Sequence, residues 1–573
     1  MQYIVRNFTI SSFIIGLLSA TAVGQSLPTI TKLGFTTKLI QLNGPCDWPS
    51  WDPKTPPVNG KYDKPGSCGQ TAAQANPNDS YIPTGVMGQG LGYSFEETDS
   101  GGKPTGKIIF LFGDSISFNP AVELNPNPAN GEFDPNFHAK DTLAWSTSAT
   151  EDGFTINYYA LPLEGHPNSP LFITEPGKEY LLPQPSGLEP AYVSNDQNIS
   201  MGPFDIPNSG ISLNGQTYLI VNTGHQLTPS HSADYSVLVK FDGVSAFTTG
   251  RTVSESNYDY FVSCTGYIDG KPCPKPGNDP GHFVYDALTK ITAPGPCVPI
   301  LGVPGVCLEG PTEAVGIYGN GQSRTSSLYF SYVPLTSFET GTDSGGNPAT
   351  MYFAGYAKDG VTPKWTNQES AAQPLFWDNP PTYAAPQPGE SDPGRVGNAS
   401  LFYDTNIQLW LMIYDRSKGG TSAAPTSAGI FFTYAAKPWG PWQKPQMIYN
   451  ACQAHTDNGQ GLGDILFYYV HDVQDASAND CPEALNGINS GTKDQSAWAG
   501  PAGPVIGASA PFGHEAFTTK GGAFAPEIIG RFSGSKDGRL RLLYTLSTWN
   551  PYAVVLMETD FTVVSSPPDS QQQ

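Results

Sequence analysis

Apolar residues in this chain come in short runs closed off by Gly, Asn, Asp or Pro, with no sustained 3.6-residue helical period. Five places share one arrangement: a first strand of small residues, a turn with Gly or Asn, then a stronger apolar strand. The first is PTGVMGQGLGYSFEE followed by KIIFLFGDS. The others are IPNSGISLNGQTYLIVNTG (206–224), GPTEAVGIYGNGQSRTSSLYFSYVP (310–334), GNASLFYDTNIQLWLMIYD (397–415) and APEIIGRFSGSKDGRLRLLYTLST (525–548). Strand-like runs such as TLAWSTS, YSVLVKF, TMYFAGYA, GIFFTYA and YAVVLMET lie between them.

Five such units predict an all-β fold, a five-bladed β-propeller. The units recur roughly every 80–130 residues, wider than the 40–50 of compact blades, so the blades carry long loops. A large β-sandwich or jelly roll is the other architecture this pattern allows. A propeller draws the starts of its inner hairpins around one channel, so chemistry is sought there.

Composition agrees with the pattern. Gly 63 and Pro 54 are more than helices tolerate, and only 14% of residues are charged. The net charge of −22 and the lack of any Lys/Arg cluster exclude a nucleic-acid partner. Residues 1–24 read as a signal peptide, with Arg6, an apolar Phe8–Leu18 core and a small-residue Ala22-Val23-Gly24 site. That core is too short to span a membrane, and no second apolar span follows. Residues 25–80 read as an irregular Pro/Gly-rich segment, 81–564 as one propeller domain and 565–573 as a polar tail. A secreted, extracellular monomer is expected.

Eight cysteines suit an oxidising compartment. Cys46 with Cys68 and Cys452 with Cys481 are the expected outer bridges; Cys264, Cys273, Cys297 and Cys307 allow three pairings. Sequons at Asn78, Asn198 and Asn398 fit secretion. No cofactor is expected. Oxygen ligands for a structural calcium abound, but no EF-hand-like loop supports one.

The candidate chemistry is carboxylate chemistry. Asp114 follows the apolar run Ile108–Phe112 directly, where a strand end would hold it rigidly. Asp141 precedes the next strand, and Glu309 stands before Gly-Pro at a hairpin start. Two such acids across a glycosidic bond are what glycoside hydrolysis needs. Glu96, Glu97, Asp205, Glu313 and Asp404 also lie near hairpin starts. Trp549, Asn550 and Tyr552 form a polar-aromatic corner suited to a sugar ring, and Glu527 sits at a similar inner position. GxSxG, P-loop and dinucleotide motifs are absent.

At FLFGDS, DTLAWSTSATEDGF, PNSGISLNGQTYLIV, GNASLFYDTNIQLWLMIYD and LYTLSTWNPYAVVLM the sequence resembles domain-of-unknown-function family 4185, whose characterised members are endo-D-arabinanases of glycoside hydrolase family 183. The matching pieces span about residues 80–562. The resemblance implies a five-bladed propeller that attacks furanosidic linkages through acids of its first blade. It carries over Asp114 and Asp141. Asp114 is then expected as nucleophile or base and Asp141 as its acid partner, with Glu309, from the residue reading above, as runner-up. The expected function is hydrolysis of an arabinofuranose-containing or related polysaccharide; a non-catalytic carbohydrate-binding propeller is the alternative.

Overall fold

The computed structural model describes residues 27–43, 46–47, 74–75, 78, 86–117, 140–163, 166–170, 204–224, 235–241, 260–264, 267–268, 271–272, 281–294, 298–299, 307–308, 311–321, 326–378, 394–416, 419–421, 424–426, 429–449, 499–500, 503–504, 522–549 and 553–565. Among them every regular element is a strand or a short 3₁₀ turn, and every strand pairing is antiparallel. The all-β expectation holds. No helix among the described residues is long and apolar enough to cross a membrane.

Five sheets of four or five strands follow one another along the chain. The first sheet runs Val86–Thr98, Pro104–Ser117, Lys140–Ser146, Asn157–Tyr158. The second runs Phe204–Leu213, Gln216–Gly224, Tyr235–Phe241, Tyr260–Cys264. The third runs Tyr285–Pro294, Pro311–Asn320, Tyr329–Pro334, Met351–Tyr356, Pro363–Thr366. The fourth runs Val396–Asp404, Leu409–Arg416, Gly429–Ala435, Gln446–Tyr449. The fifth runs Gly522–Ile528, Arg539–Trp549, Ala553–Val564 and then, from the other end of the sequence, Thr29–Gln41.

The leading strand of each sheet packs against the leading strand of the next, and the fifth against the first. A side-chain hydrogen bond crosses each of these five boundaries. Ser212 Oγ accepts from Thr98 N at 2.9 Å, Ser209 Oγ from Leu288 N at 2.9 Å and Ser400 Oγ from Ile528 N at 2.8 Å. Asn320 Nδ2 donates to Gly397 O at 2.7 Å, and Thr545 Oγ1 to Gly92 O at 2.8 Å. Because β-strand side chains alternate, a strand apolar on both faces fills two layers at once. Ile108, Phe110 and Phe112 face the fifth sheet together with Leu543, Val554 and Leu556. Leu409, Leu411 and Ile413 likewise join the fifth sheet's layer, while Trp410, Met412 and Tyr414 join the third's.

Two sequence readings change. The strand Thr29–Gln41 lies inside the segment read as irregular; its Thr/Lys-rich alternation is that of a sheet edge. In the third unit the leading strand is Tyr285–Pro294, so Pro311–Asn320 is the second strand and not the first. The signal peptide, Cys68, Cys452 and Cys481 lie outside the described residues.

One ion pair is buried in the fourth sheet's flank. Arg416 Nη1 donates to Asp378 Oδ1 at 2.9 Å, with side-chain exposures of 5% and 0%. The guanidinium lies 3.5 Å from the centre of the Phe431 ring. Burial pushes the Asp378 carboxyl above its ordinary range, against the pull of Arg416.

Candidate functional site

Asp114 stands in a bulge. Phe112 pairs with Thr142 and Ser115 with Lys140, so Gly113 and Asp114 together oppose the single residue Asp141. On the other side Gly113 pairs with Gly90 and Ile116 with Gly88, so the ladder is irregular there too. Bulges re-aim side chains and are common beside active sites. Gly113 is needed at this point: a Cβ there would meet Leu91 Cδ1 at 2.5 Å. The topology thus sets two of the sequence-predicted acids opposite each other on neighbouring strands, where ladder Cα spacings are about 4.5–5.5 Å.

Beneath the bulge lies a buried polar network. Gln89, fully buried, donates to Thr142 Oγ1, while its Oε1 accepts from Tyr158 Oη at 2.5 Å and from Asn43 Nδ2 at 3.3 Å. Asn43 Oδ1 in turn accepts from Val554 N at 2.9 Å. Asn78 donates to Phe154 O at 2.9 Å and Gln41 O at 3.2 Å, and accepts from Ile156 N at 2.8 Å. The network ties the residues flanking the bulge to the N-terminal strand. Asn78 is thereby buried and bonded through both ends of its amide, which leaves no room for a glycan in the folded protein.

Glu527 occupies a second position. Its strand bulges between Phe524 and Glu527, with Ala525 at φ 49°, a left-handed backbone that a non-glycine residue adopts only under constraint. Glu527 accepts hydrogen bonds from the Ser400 hydroxyl of the fourth sheet and the Ser94 amide of the first. It therefore lies where three leading strands converge. Burial raises its carboxyl to about 8; the two hydrogen bonds favour the charged form and only partly offset this.

A further polar cluster joins the leading strands of three sheets. Tyr93, from the first sheet, is 3% exposed. Asn398 Nδ2, from the fourth, donates to the Tyr93 hydroxyl, which donates to Asn208 Oδ1 of the second at 3.3 Å. Asn398 N donates to Asp415 Oδ1 at 2.6 Å. The Asn398 sequon is therefore also spent on packing. Among the described residues Asn222 and the Asn208 amide nitrogen are buried with no protein partner, as polar groups are where water or ligand supplies the bond.

Trp549 is the last residue of its strand and pairs with Gly522. Ser547 Oγ accepts from Leu91 N at 3.1 Å, so that strand end lies beside the first sheet's leading strand. Glu309, Asn550, Tyr552 and the Asn198 sequon lie outside the described residues. Several other acids are structural. Glu96 pairs with Arg531, its Oε1 accepting from Nε at 3.0 Å, and Glu97 pairs with Lys107 at 3.4 Å. Glu313 pairs with Lys290 at 2.7 Å on the surface, and Asp404 Oδ1 caps Asn406 N at 2.8 Å. No group of three metal-ligating side chains occurs among the described residues. Gln89, Tyr93, Asn208 and Ser400 were missed in the sequence, where lone polar residues in strands carry no pattern.

No protein-family model matches the sequence, and no curated protein matches it. Among solved structures, a Dyadobacter fermentans protein of unknown function is 8% identical, covering 94% of this protein and 98% of its own length, with a TM-score of 0.31. A complex of BT0996 and RGII is 8% identical over 84% of this protein and 93% of that one, with a TM-score of 0.30. A glycoside hydrolase is 9% identical over 86% and 95%, with a TM-score of 0.27. At these scores the fold rests on the strand pairing itself.

Proposed function

We propose that the five sheets are the blades of a five-bladed β-propeller, and that the protein is a secreted glycoside hydrolase acting on an arabinofuranose-containing or related polysaccharide. The observation that carries this is the bulge that opposes Gly113-Asp114 to Asp141. Two carboxylates on adjacent strands are the minimum apparatus for cleaving a glycosidic bond. Asp114 serves as nucleophile or base and Asp141 as its acid partner, with Glu309 the alternative acid. The resemblance to family 4185 at FLFGDS and LYTLSTWNPYAVVLM supports the same assignment. Glu527, Trp549, Asn550 and Tyr552 contribute to holding the polysaccharide, Glu527 as a neutral carboxyl able to donate to a sugar hydroxyl. The signal-like N-terminus and the even cysteine count support secretion.

The test is release of new reducing ends from a panel of plant and bacterial polysaccharides that includes arabinan and arabinogalactan. Wild type should cleave at least one. Asp114→Asn and Asp141→Asn should each lose about a thousandfold or more of that rate. Unchanged turnover in both variants would remove the bulge from the chemistry.

A further inference from the structure

A cleft of about 970 Å³ opens at the end of the third sheet, in the size range of small-ligand sites. It runs from Pro294 and Thr312, on the two innermost strands, to Trp365 on the outermost. The segment 335–350 walls its other side. The carboxylate bulge lies near the start of the first sheet's leading strand; this cleft lies where the third sheet's leading strand finishes. The two are separate places.

Three features of the cleft bear on what it takes. The first is an aromatic platform. Trp365 belongs to Pro363–Thr366, a fifth strand added outside the four that the first, second and fourth sheets have. Its ring is clamped by Tyr332, Trp439, Phe330 and Phe353 at centroid distances of 4.9, 5.5, 6.0 and 6.0 Å, yet it stays partly exposed in the cleft. An indole held this way loses little freedom on binding.

The second feature is the rim. Threonine hydroxyls at positions 312, 336 and 342 supply donors and acceptors without charge, while that of Thr340 is bonded to Thr342 within its own turn. The third is electrostatic. Among the described residues no lysine or arginine lines the cleft, so an anionic ligand finds no counter-charge. The carboxylate on its lining, Asp343, already accepts from Gly345 N at 2.8 Å and Asn347 N at 2.9 Å within its own turn. That turn also makes the wall firm, with Ala349 N donating to Gly341 O at 2.8 Å.

We infer that this cleft is a binding site for a neutral polysaccharide, apart from the carboxylate bulge. A sugar ring lays its C–H face on the indole and shares its hydroxyls with the threonines. The site does not depend on the hydrolase reading, and binding here would hold an insoluble or long substrate without cleaving it.

The experiment is affinity gel electrophoresis of the full-length protein in gels carrying arabinan, xyloglucan or galactomannan, with polygalacturonate as the charged counterpart. Thr336 is exposed at the cleft's edge, so Thr336→Arg fills the cleft without touching the core. Wild type should be retarded by at least one neutral polysaccharide, and Thr336→Arg should weaken that binding about tenfold or more at an unchanged melting temperature. Trp365→Phe should retain part of the affinity. Asp114→Asn should bind as wild type, which separates failure of the hydrolase reading from failure of this one. Retardation by none of the neutral polymers, stronger retardation by polygalacturonate, or wild-type binding by Thr336→Arg would each overturn the inference.

Discussion

Asn398 donates its side-chain amide to the hydroxyl of Tyr93, although their strands belong to sheets that are not neighbours. Leading strands pack in the order first, second, third, fourth, fifth and back to the first, so this bond joins two sheets whose leading strands are not successive in that order. Asn208 joins from the second sheet. Three sheets are thus tied together by three polar side chains.

Tyr93→Phe keeps the ring and removes only the hydroxyl. It should cost about 1–3 kcal/mol, because the half-buried Asn398 amide and buried Asn208 lose the Tyr93 hydroxyl and keep only their long 3.5 Å bond to each other. Urea unfolding reads this directly. A loss below about 0.5 kcal/mol would mean that water satisfies both amides.

Glu527 makes stability depend on pH in a defined direction. Its carboxyl titrates at about 8 in the folded protein against the ordinary 4.5, so the folded state binds more protons between those values. Stability from this group is full below about pH 4.5 and falls as pH rises towards about 8, by at most about 1.4 kcal/mol per unit. Glu527→Gln, which mimics the neutral acid, should flatten that slope and stabilise the protein most at about pH 8. Denaturant melts of both proteins across this range provide the check; an unchanged slope would show that the carboxyl is ionised at neutral pH.

Arg416→Met removes the ion-pair partner of the Asp378 carboxylate, which has no exposure of its own and keeps only the Tyr414 hydroxyl and the Arg395 charge. The expected loss is about 3–5 kcal/mol, because a buried charge without its partner keeps its full desolvation penalty. Adding Asp378→Leu should recover much of that loss. Equal stability of the single and double variants would place the cost in the Phe431 stacking instead.

Expression in a glycosylating host should leave Asn78 and Asn398 unmodified in the folded, secreted protein. Peptide mass spectrometry checks this. A glycan at either position would contradict the hydrogen bonds that occupy both amides.

Much of the architecture was legible in the sequence, and the reason is the apolar second strands. Runs such as IIFLF and LWLMIY are buried on both faces, so they stand out without any alternation. The leading strands are harder to see. Tyr285–Pro294 mixes buried, half-buried and exposed positions and carries Lys290 on its surface, so the neighbouring Gly-Pro start drew the reading instead. For the candidate site, Asp114 and Asp141 stand out in the sequence because each flanks an apolar run. Glu527 was visible only as a position; its raised pKa depends on burial among strands of two other sheets, which bring Ser94 and Ser400 to it. Tyr93, Asn208 and Asn398 form one unit only once the strands are assembled.

The strand Thr29–Gln41 gives folding an order of events. Each of the first four sheets is built from consecutive sequence and is ready to pair as soon as it is made. The fifth is not: Thr29 pairs with Val564, so the earliest strand waits for the last. Until synthesis ends, that strand has an unpaired edge, and so does the segment it will join. Two contacts, Tyr434 Oη to Pro28 O at 2.8 Å and Gln446 Nε2 to Ile30 O at 2.9 Å, can park it earlier against the fourth sheet. Removing residues up to 41 would therefore leave a protein with four finished sheets and an open seam, the bare edge of Ala553–Val564, prone to pair with the same edge of another copy.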